Sequence, residues 1–151
     1  MNDASGLARL PSRRRALGFT LLELLIAVAI LAILAAIAIP MYQGYTARSH
    51  RAAATACMTE GAHFLERFHT LNMRYDESQD GDAVALPAQE CRAKLAPTYT
   101  IALTAVGPGN YTLTATPQGT QVSRDAECGT LSLDHTGQRT ISGDGEVNRC
   151  W

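Results

Sequence analysis

The chain has 151 residues, 46% of them hydrophobic, and carries 13 Lys and Arg against 14 Asp and Glu, for a formal net charge of −1 at pH 7. This length allows one domain. The mildly acidic balance gives no electrostatic reason to expect nucleic-acid binding, because that function normally needs a basic stripe along one face and the sequence shows none.

The first predicted element is a membrane-spanning helix. Residues 24–39 hold no polar side chain, and counting back to Phe19 gives 21 residues interrupted only by Thr20 and Glu23. As a helix this stretch rises roughly 30 Å, enough to cross the hydrocarbon core of a bilayer. Four arginines precede it, so the N-terminus should stay cytoplasmic and the rest of the chain should be exported. They are Arg9, Arg13, Arg14 and Arg15.

Glu23 is the anomaly in this span. A charge inside a membrane helix costs about 2.5–3.5 kcal/mol on insertion scales and usually marks a functional site. A secretory signal peptide, with Ala36-Ile37-Ala38 as its cleavage site, and a plain signal anchor are the alternatives. The apolar run exceeds the roughly 7–15 residues of a signal-peptide core, which rarely carries Glu. A plain anchor leaves Glu23 unexplained.

The segment Gly18-Phe19-Thr20-Leu21-Leu22-Glu23 resembles the processing site of type IV pilins. The resemblance implies that a prepilin peptidase cuts between Gly18 and Phe19 and that the new Phe19 amine is N-methylated. Glu23 and Pro40 match a glutamate and a proline that the family carries in the same helix. A neighbouring subunit's Glu23 would then be the assembly contact that neutralises the buried amine, since a paired buried charge costs far less than an isolated one.

Cleavage at this site would divide the chain into three segments. A cytoplasmic leader, residues 1–18, is removed; residues 19–40 form the half of the helix that lies in the membrane and then in the filament core; residues 41–151 form a periplasmic or extracellular globular domain. Four basic residues and one acidic residue lie in the leader, so the mature chain would carry nine basic and 13 acidic residues, a net charge of −4. DNA capture, which some pilins perform, is not expected.

The helical pattern continues beyond Pro40, and one long helix is predicted from about Thr20 to Asn72. Apolar residues at helical spacing predict its buried face in the second half. These residues are Ala53, Cys57, Phe64, Phe68 and Leu71. Pro40 should kink the helix, because proline removes a backbone hydrogen bond and crowds the preceding turn. Two helices broken near Pro40 are the alternative.

A loop at 76–97, with room for a helical turn at 88–95, precedes the first predicted β-hairpin. Residues 98–105 and 111–116 alternate apolar and threonine side chains on either side of Gly107-Pro108-Gly109-Asn110. Alternation of this kind is typical of strands with one buried face. Tyr99, Ile101, Leu103 and Ala105 form the inward row of the first strand.

Residues 130–133 and 139–142, joined by a turn, predict a second hairpin. The fold class is therefore α+β, with a long N-terminal helix packed on a four-stranded antiparallel β-sheet and a C-terminal disulfide-bounded loop. The apolar side chains on the inward face of the strands must be buried against another element, and we expect the helix to cover them. This is also the type IV pilin fold that the resemblance implies.

Four cysteines allow three pairings, and export to an oxidising compartment makes disulfides the leading interpretation. We favour Cys57–Cys91, which ties the helix to the loop, and Cys128–Cys150, which closes the C-terminal segment around the second hairpin. The resemblance maps the family's C-terminal cysteine pair onto Cys128 and Cys150. A zinc site made of four thiolates is the alternative, but no C-x-x-C pair occurs.

No catalytic residue, metal site or cofactor is predicted. His63 and Glu66 could share a helix face and bind a metal, but solvated polar positions beside Phe64 and Phe68 are the favoured interpretation. The sequence contains no nucleophile elbow, P-loop or dinucleotide-binding fingerprint. We therefore expect a protein that is not an enzyme.

Residues 111–117, 128–133 and the terminal Cys150-Trp151 are similar to PilE-type minor pilins. This resemblance implies a structural minor pilin subunit of the type IV pilus, taking part in pilus assembly, twitching motility and surface attachment. The implied partners are prepilin peptidase, the inner-membrane assembly platform with its ATPase, the major pilin and other minor pilins; no nucleic acid is expected.

The chain would lie in the bacterial inner membrane, with its N-terminus inside, before it joins an extracellular pilus. A major pilin, a type II secretion pseudopilin and a membrane-anchored periplasmic binding domain are the alternative functions.

Overall fold

The computed structural model describes residues 19–151, so the predicted leader, including Gly18 of the predicted cleavage site, lies outside the described residues. The chain divides into two compact units, one ending at Ala38 and the other spanning Ile39–Trp151. Helix α1 (Leu21–Asn72) contributes residues to both. Pro40 lies inside α1, so the prediction of one long helix is confirmed and the alternative of two helices is wrong. The kink at Pro40 stays a prediction.

The second unit contains seven further elements after α1. In chain order they are α2 (Glu90–Leu95), β1 (Tyr99–Gly107), β2 (Asn110–Pro117), α3 (Gln121–Arg124), β3 (Leu131–Asp134), β4 (Arg139–Ile141) and α4 (Val147–Cys150). The strands form one antiparallel sheet in the order β1-β2-β3-β4. Both predicted hairpins and the helical turn before β1 are confirmed. The single turns α3 and α4 were not predicted, because four residues are too few to show a helical period.

Alternation along the strands buries one face of the sheet. Its buried residues are Tyr99, Ile101, Tyr111, Leu113, Ala115, Leu131 and Leu133. The prediction that Ala105 belongs to the inward row of β1 was wrong, because this residue is exposed. The register of β1 against β2 shifts between Leu103 and Ala105. A β-bulge at this point inserts one residue and reverses the alternation beyond it.

The face of α1 that packs on the sheet also differs from the predicted one. Its buried residues are Ala47, Ala54, Cys57, Met58, Gly61 and Leu65. Only Cys57 belongs to the predicted stripe; Phe64 and Phe68 are half-buried, and Ala53 and Leu71 are exposed. Three of the six buried residues, Ala47, Ala54 and Gly61, are small and give little hydrophobic contrast with their neighbours. The large phenylalanines therefore dominated the sequence pattern.

The structure forms both favoured disulfides. The Cα atoms of Cys57 and Cys91 are 5.8 Å apart, and those of Cys128 and Cys150 are 5.6 Å apart, both within the usual range of roughly 4.4–6.8 Å. All four cysteines are used in these bonds, so the four-thiolate zinc site is not formed. The first bond attaches α2 to α1, and the second encloses β3 and β4.

Candidate functional site

The first unit exposes an almost continuous apolar surface. Its large apolar side chains, from Phe19 to Ile37, are each 53–77% exposed. Among the described residues, this part of α1 is the one stretch long and apolar enough to cross a membrane, and none of it is buried. A soluble protein rarely leaves so large an apolar patch uncovered. The segment therefore needs lipid or other apolar helices around it.

Thr20 and Glu23 start this helix. The backbone N–H of Glu23 donates to Thr20 Oγ1 at 3.2 Å, and that of Leu24 donates to the Thr20 carbonyl at 3.2 Å. Thr20 is thus the N-cap, and its hydroxyl satisfies one of the free N–H groups at the start of the helix. Within residues 19–151 the Glu23 carboxylate has no hydrogen-bond or ion-pair partner.

A buried polar cluster links α1 to β1, α3 and the C-terminal segment in the second unit. Asp125 is only 4% exposed and accepts hydrogen bonds from the Arg51 guanidinium, the Tyr99 hydroxyl and, at 3.3 Å, Gln121 Nε2. Arg51 Nη2 also donates to the Arg149 carbonyl at 3.2 Å. A buried carboxylate is tolerated when it is paired and hydrogen-bonded, so these contacts fix α1 against the disulfide-bounded region.

The same elements enclose a groove of about 520 Å³, which we call the arginine groove. It lies between residues 44–51 of α1 and two segments of the C-terminal region, residues 123–128 and 145–150. Its charged lining residues are Arg48, Arg51, Arg124, Asp125, Glu127, Glu146 and Arg149. In the part of the chain that the structure describes, Arg51 and Asp125 pair with each other, and no ion pair occupies the other five. The volume falls within the roughly 300–1,000 Å³ typical of small-ligand sites.

One wall of the arginine groove depends on very close backbone packing. Gly143 donates its N–H to the Cys128 carbonyl at 3.2 Å, and Gly145 donates to the Glu127 carbonyl at 2.8 Å. A Cβ atom added at Gly143 would overlap the Glu127 carbonyl group. The segment before α4 can therefore lie against residues 127–128 only because it carries glycine.

A second polar cluster lies further along α1. Glu66 accepts hydrogen bonds from the hydroxyls of Tyr75 at 2.9 Å and Tyr111 at 3.1 Å, and His69 stacks on Tyr75 with 4.3 Å between ring centroids. The Glu66 carboxylate is thus engaged by tyrosines and not by His63. Among the described residues, no group of three or more His, Cys, Asp or Glu side chains could hold a metal ion.

These two clusters predict that folding stability falls above about pH 10. Burial raises the pKa of Tyr99, Tyr111 and Tyr75, and the hydrogen bonds to Asp125 and Glu66 raise it further. Their phenols ionise near pH 10 in the unfolded chain but stay neutral in the folded one. The stabilisation is therefore complete below pH 10 and is lost as the pH rises towards the folded-state pKa, by up to ~1.4 kcal/mol per pH unit for each tyrosine.

Urea unfolding of the purified chain at intervals from neutral to strongly alkaline pH, followed by circular dichroism, measures this loss. Tyr111→Phe should make the decline shallower, since one of the three phenols is removed. Tyr45→Phe is the matched control, because Tyr45 is exposed and the decline should not change. A free energy of unfolding that stays constant above pH 10 would contradict the prediction.

Comparisons with known proteins bear on both units. A family profile described as "Type IV minor pilin ComP, DNA uptake sequence receptor" matches residues 40–132, and the "Prokaryotic N-terminal methylation motif" matches residues 13–39. The chain is 34% identical over 116 residues to type IV major pilin protein PilE1 of Neisseria gonorrhoeae, covering 77% of the chain and 50% of that protein.

It is also 33% identical over 125 residues to fimbrial protein EcpC of Eikenella corrodens, covering 79% of the chain and 74% of that protein. The chain spans 47–61% of the length of the first three curated relatives it matches. Among solved structures, a type IV pilin from Shewanella oneidensis matches 70% of the chain and 97% of its own length, with 28% identity and a TM-score of 0.48.

Proposed function

Because this chain belongs to the type IV pilin family, whose members are structural subunits and not enzymes, we propose that it is a minor pilin of a type IV pilus. The match of residues 40–132 to a minor-pilin profile supports the minor assignment. Several relatives are major pilins, and the number of copies in purified filaments separates the two roles.

The exposed apolar segment that begins at Phe19 and contains Glu23 carries this proposal. The methylation motif over residues 13–39 supports cleavage after Gly18 and methylation of Phe19. The segment is then stored in the inner membrane with the leader side inside, and is extracted to pack against other subunits in the filament core. There the Glu23 carboxylate, which has no partner within residues 19–151, neutralises the Phe19 amine of a neighbour, which would otherwise be an isolated buried charge.

The proposed partners follow from these steps of cleavage, membrane storage and extraction into the filament. Prepilin peptidase processes the chain, the inner-membrane platform extracts it, and the major pilin and other minor pilins accept its α1 in the filament. Twitching motility and surface attachment are the proposed outputs of the assembled pilus. The globular residues 41–151 would be displayed on the outside of the fibre.

Substituting Glu23 by alanine should lower the amount of this subunit in sheared pili at least tenfold, because an unpaired buried amine costs about 3–5 kcal/mol. Quantitative immunoblots of sheared pili and of the membrane fraction measure the change. Glu60→Ala is the matched control, since Glu60 is another exposed glutamate of α1 and should have no such effect.

Mass spectrometry of the chains in the membrane fraction distinguishes a defect in assembly from a defect in processing. Both variants should begin at a methylated Phe19. A Glu23→Ala chain that is processed and still enters pili at the wild-type level would refute the role of Glu23. Intact Met1, or a start near Ile39, in the wild-type chain would refute the pilin proposal itself.

DNA capture is the second candidate function, because the matching profile describes a DNA uptake sequence receptor. The local feature that favours it is the Arg139 guanidinium, which lies 5.4 Å from the centroid of the Trp151 ring; cations and aromatic rings together suit phosphates and bases. The net charge of −4 expected after cleavage opposes it. Gel shifts with duplexes that carry or lack an uptake sequence, at two salt concentrations, test whether the chain binds DNA. If it does, Arg139→Gln should weaken the complex.

A further inference from the structure

The arginine groove contains charges of both signs that form no ion pair within residues 19–151. The Arg51–Asp125 pair is internal, and it leaves three arginines, Arg48, Arg124 and Arg149, beside two glutamates, Glu127 and Glu146. All five residues are exposed. A ligand that satisfies them must offer an anionic group to the guanidiniums and a cationic donor to the carboxylates.

The walls of the arginine groove are held in place before any ligand arrives. Arg51 joins α1 to Asp125 and to the Arg149 carbonyl, and Gln121 Nε2 donates to the Ala47 carbonyl at 2.9 Å. The Cys128–Cys150 disulfide ties the remaining wall together. A site with fixed walls loses little conformational freedom on binding.

The position of the groove along α1 indicates where its ligand comes from. If the hydrocarbon core begins near Phe19, about 20 helical residues cross it, and the far side lies near Pro40. Tyr42 and Tyr45 follow and are 69% and 66% exposed, and tyrosine is enriched at the level of lipid headgroups. Gly44 and Arg48 of the groove lie about 6 and 12 Å beyond Pro40 along the helix. An arginine side chain can extend back to the headgroups from there.

We propose that the arginine groove binds the headgroup of an aminophospholipid while the chain is stored in the membrane. The lipid phosphate accepts hydrogen bonds from Arg48, Arg124 or Arg149, and its primary ammonium donates to Glu127 and Glu146. Guanidinium–phosphate contacts of this kind are strong and directional. The proposal rests on the membrane-stored stage of the proposed function.

Other anionic ligands fit the arginine groove less well. A free phosphate or a DNA backbone supplies only negative charge, and Glu127 and Glu146 would repel it at close range. A phosphatidylcholine headgroup carries both charges, but its quaternary ammonium has no N–H to donate. The combination of a phosphate and a primary ammonium is what distinguishes the proposed ligand.

The test uses the purified full chain, reconstituted in nanodiscs with equal amounts of phosphatidylethanolamine, phosphatidylcholine and phosphatidylglycerol. After mild detergent extraction, mass spectrometry measures the lipids retained by the chain. Phosphatidylethanolamine should be enriched at least about fivefold over the other two, as expected for charge-assisted hydrogen bonds. The double variant Arg48→Gln with Arg124→Gln should lose this enrichment. Arg67→Gln with Lys94→Gln, which removes the same charge from exposed sites outside the groove, should keep it.

A second double variant, Glu127→Gln with Glu146→Gln, tests the ammonium half of the site. It should shift the preference from phosphatidylethanolamine to phosphatidylglycerol, because the repulsion of anions is relieved and the ammonium partners are lost. Equal retention of all three lipids by the wild-type chain would overturn the proposal. So would a DNA duplex that displaces the lipid and depends on the same arginines.

Failure of this site and failure of the proposed function give different results. A chain that inserts into the nanodisc without any lipid preference refutes the lipid site alone. A chain that does not insert refutes the membrane-stored stage as well.

Discussion

Replacing Arg51 with alanine should lower the free energy of unfolding by about 3–5 kcal/mol. The Arg51 side chain is only 13% exposed, and the Asp125 side chain is 3% exposed. Without the guanidinium, Asp125 becomes a buried carboxylate with only the Tyr99 hydroxyl and Gln121 Nε2 as donors. The bond from Arg51 to the Arg149 carbonyl is lost as well, so α1 should separate more easily from the C-terminal region. Urea unfolding of the processed chain in mild detergent, followed by near-ultraviolet circular dichroism, measures the loss.

Arg48→Ala is the matched control for this prediction. Arg48 lies one turn earlier on α1 and is exposed without an ion-pair partner in the described chain, so its loss should change stability by no more than about 0.5 kcal/mol. Arg51→Lys should recover part of the loss, because it keeps the charge but not the planar fork of donors. If Arg51→Ala were no more destabilising than Arg48→Ala, the cluster would not be what holds α1 in place.

Gly143→Ala should destabilise the second unit by about 3 kcal/mol, the upper part of the range for overpacked sites. The added Cβ would overlap the Glu127 carbonyl group and lie 2.7 Å from the Ala126 carbonyl oxygen. Both obstacles are backbone atoms, so no side chain can rotate away to relieve the clash. The same unfolding measurement applies, with the disulfides kept intact.

Gly109→Ala is the control for that substitution. A Cβ at Gly109 meets no atom within 4 Å, so alanine there should leave stability unchanged or raise it by up to about 1 kcal/mol, through a less flexible unfolded chain. Equal changes in the free energy of unfolding at Gly143 and Gly109 would show that the segment before α4 can move away from residues 126–127. The wall of the arginine groove would then not be rigidly packed.

Local patterns were enough to predict most of the fold. Threonines alternate with apolar residues on both sides of Gly107-Pro108-Gly109-Asn110, and that period of two specifies a hairpin with one buried face. The apolar run up to Pro40 likewise needs only composition to be recognised as a helix. The packed face of α1 was predicted wrongly, because its alanines and Gly61 differ little in hydropathy from their neighbours.

The polar cluster and the arginine groove could not be predicted, for a different reason. Arg51 and Asp125 are separated by 74 positions, and no periodicity or spacing in the sequence relates them. Only the folding of α1 against α3 and the Cys128–Cys150 region brings them together. The N-terminal residues Phe19 and Glu23 present the opposite case: a linear motif identifies them, while their roles depend on molecules outside the chain.

The two outer strands of the sheet affect how crowded copies of this protein behave. A long, flat edge strand exposes unpaired backbone groups that can recruit a strand from another molecule. Here β4 is only three residues long and Trp151 Nε1 donates to its Thr140 carbonyl at 3.2 Å, while β1 is interrupted by its bulge. Neither outer strand therefore offers a long, regular edge for the strand exchange that makes amyloid irreversible.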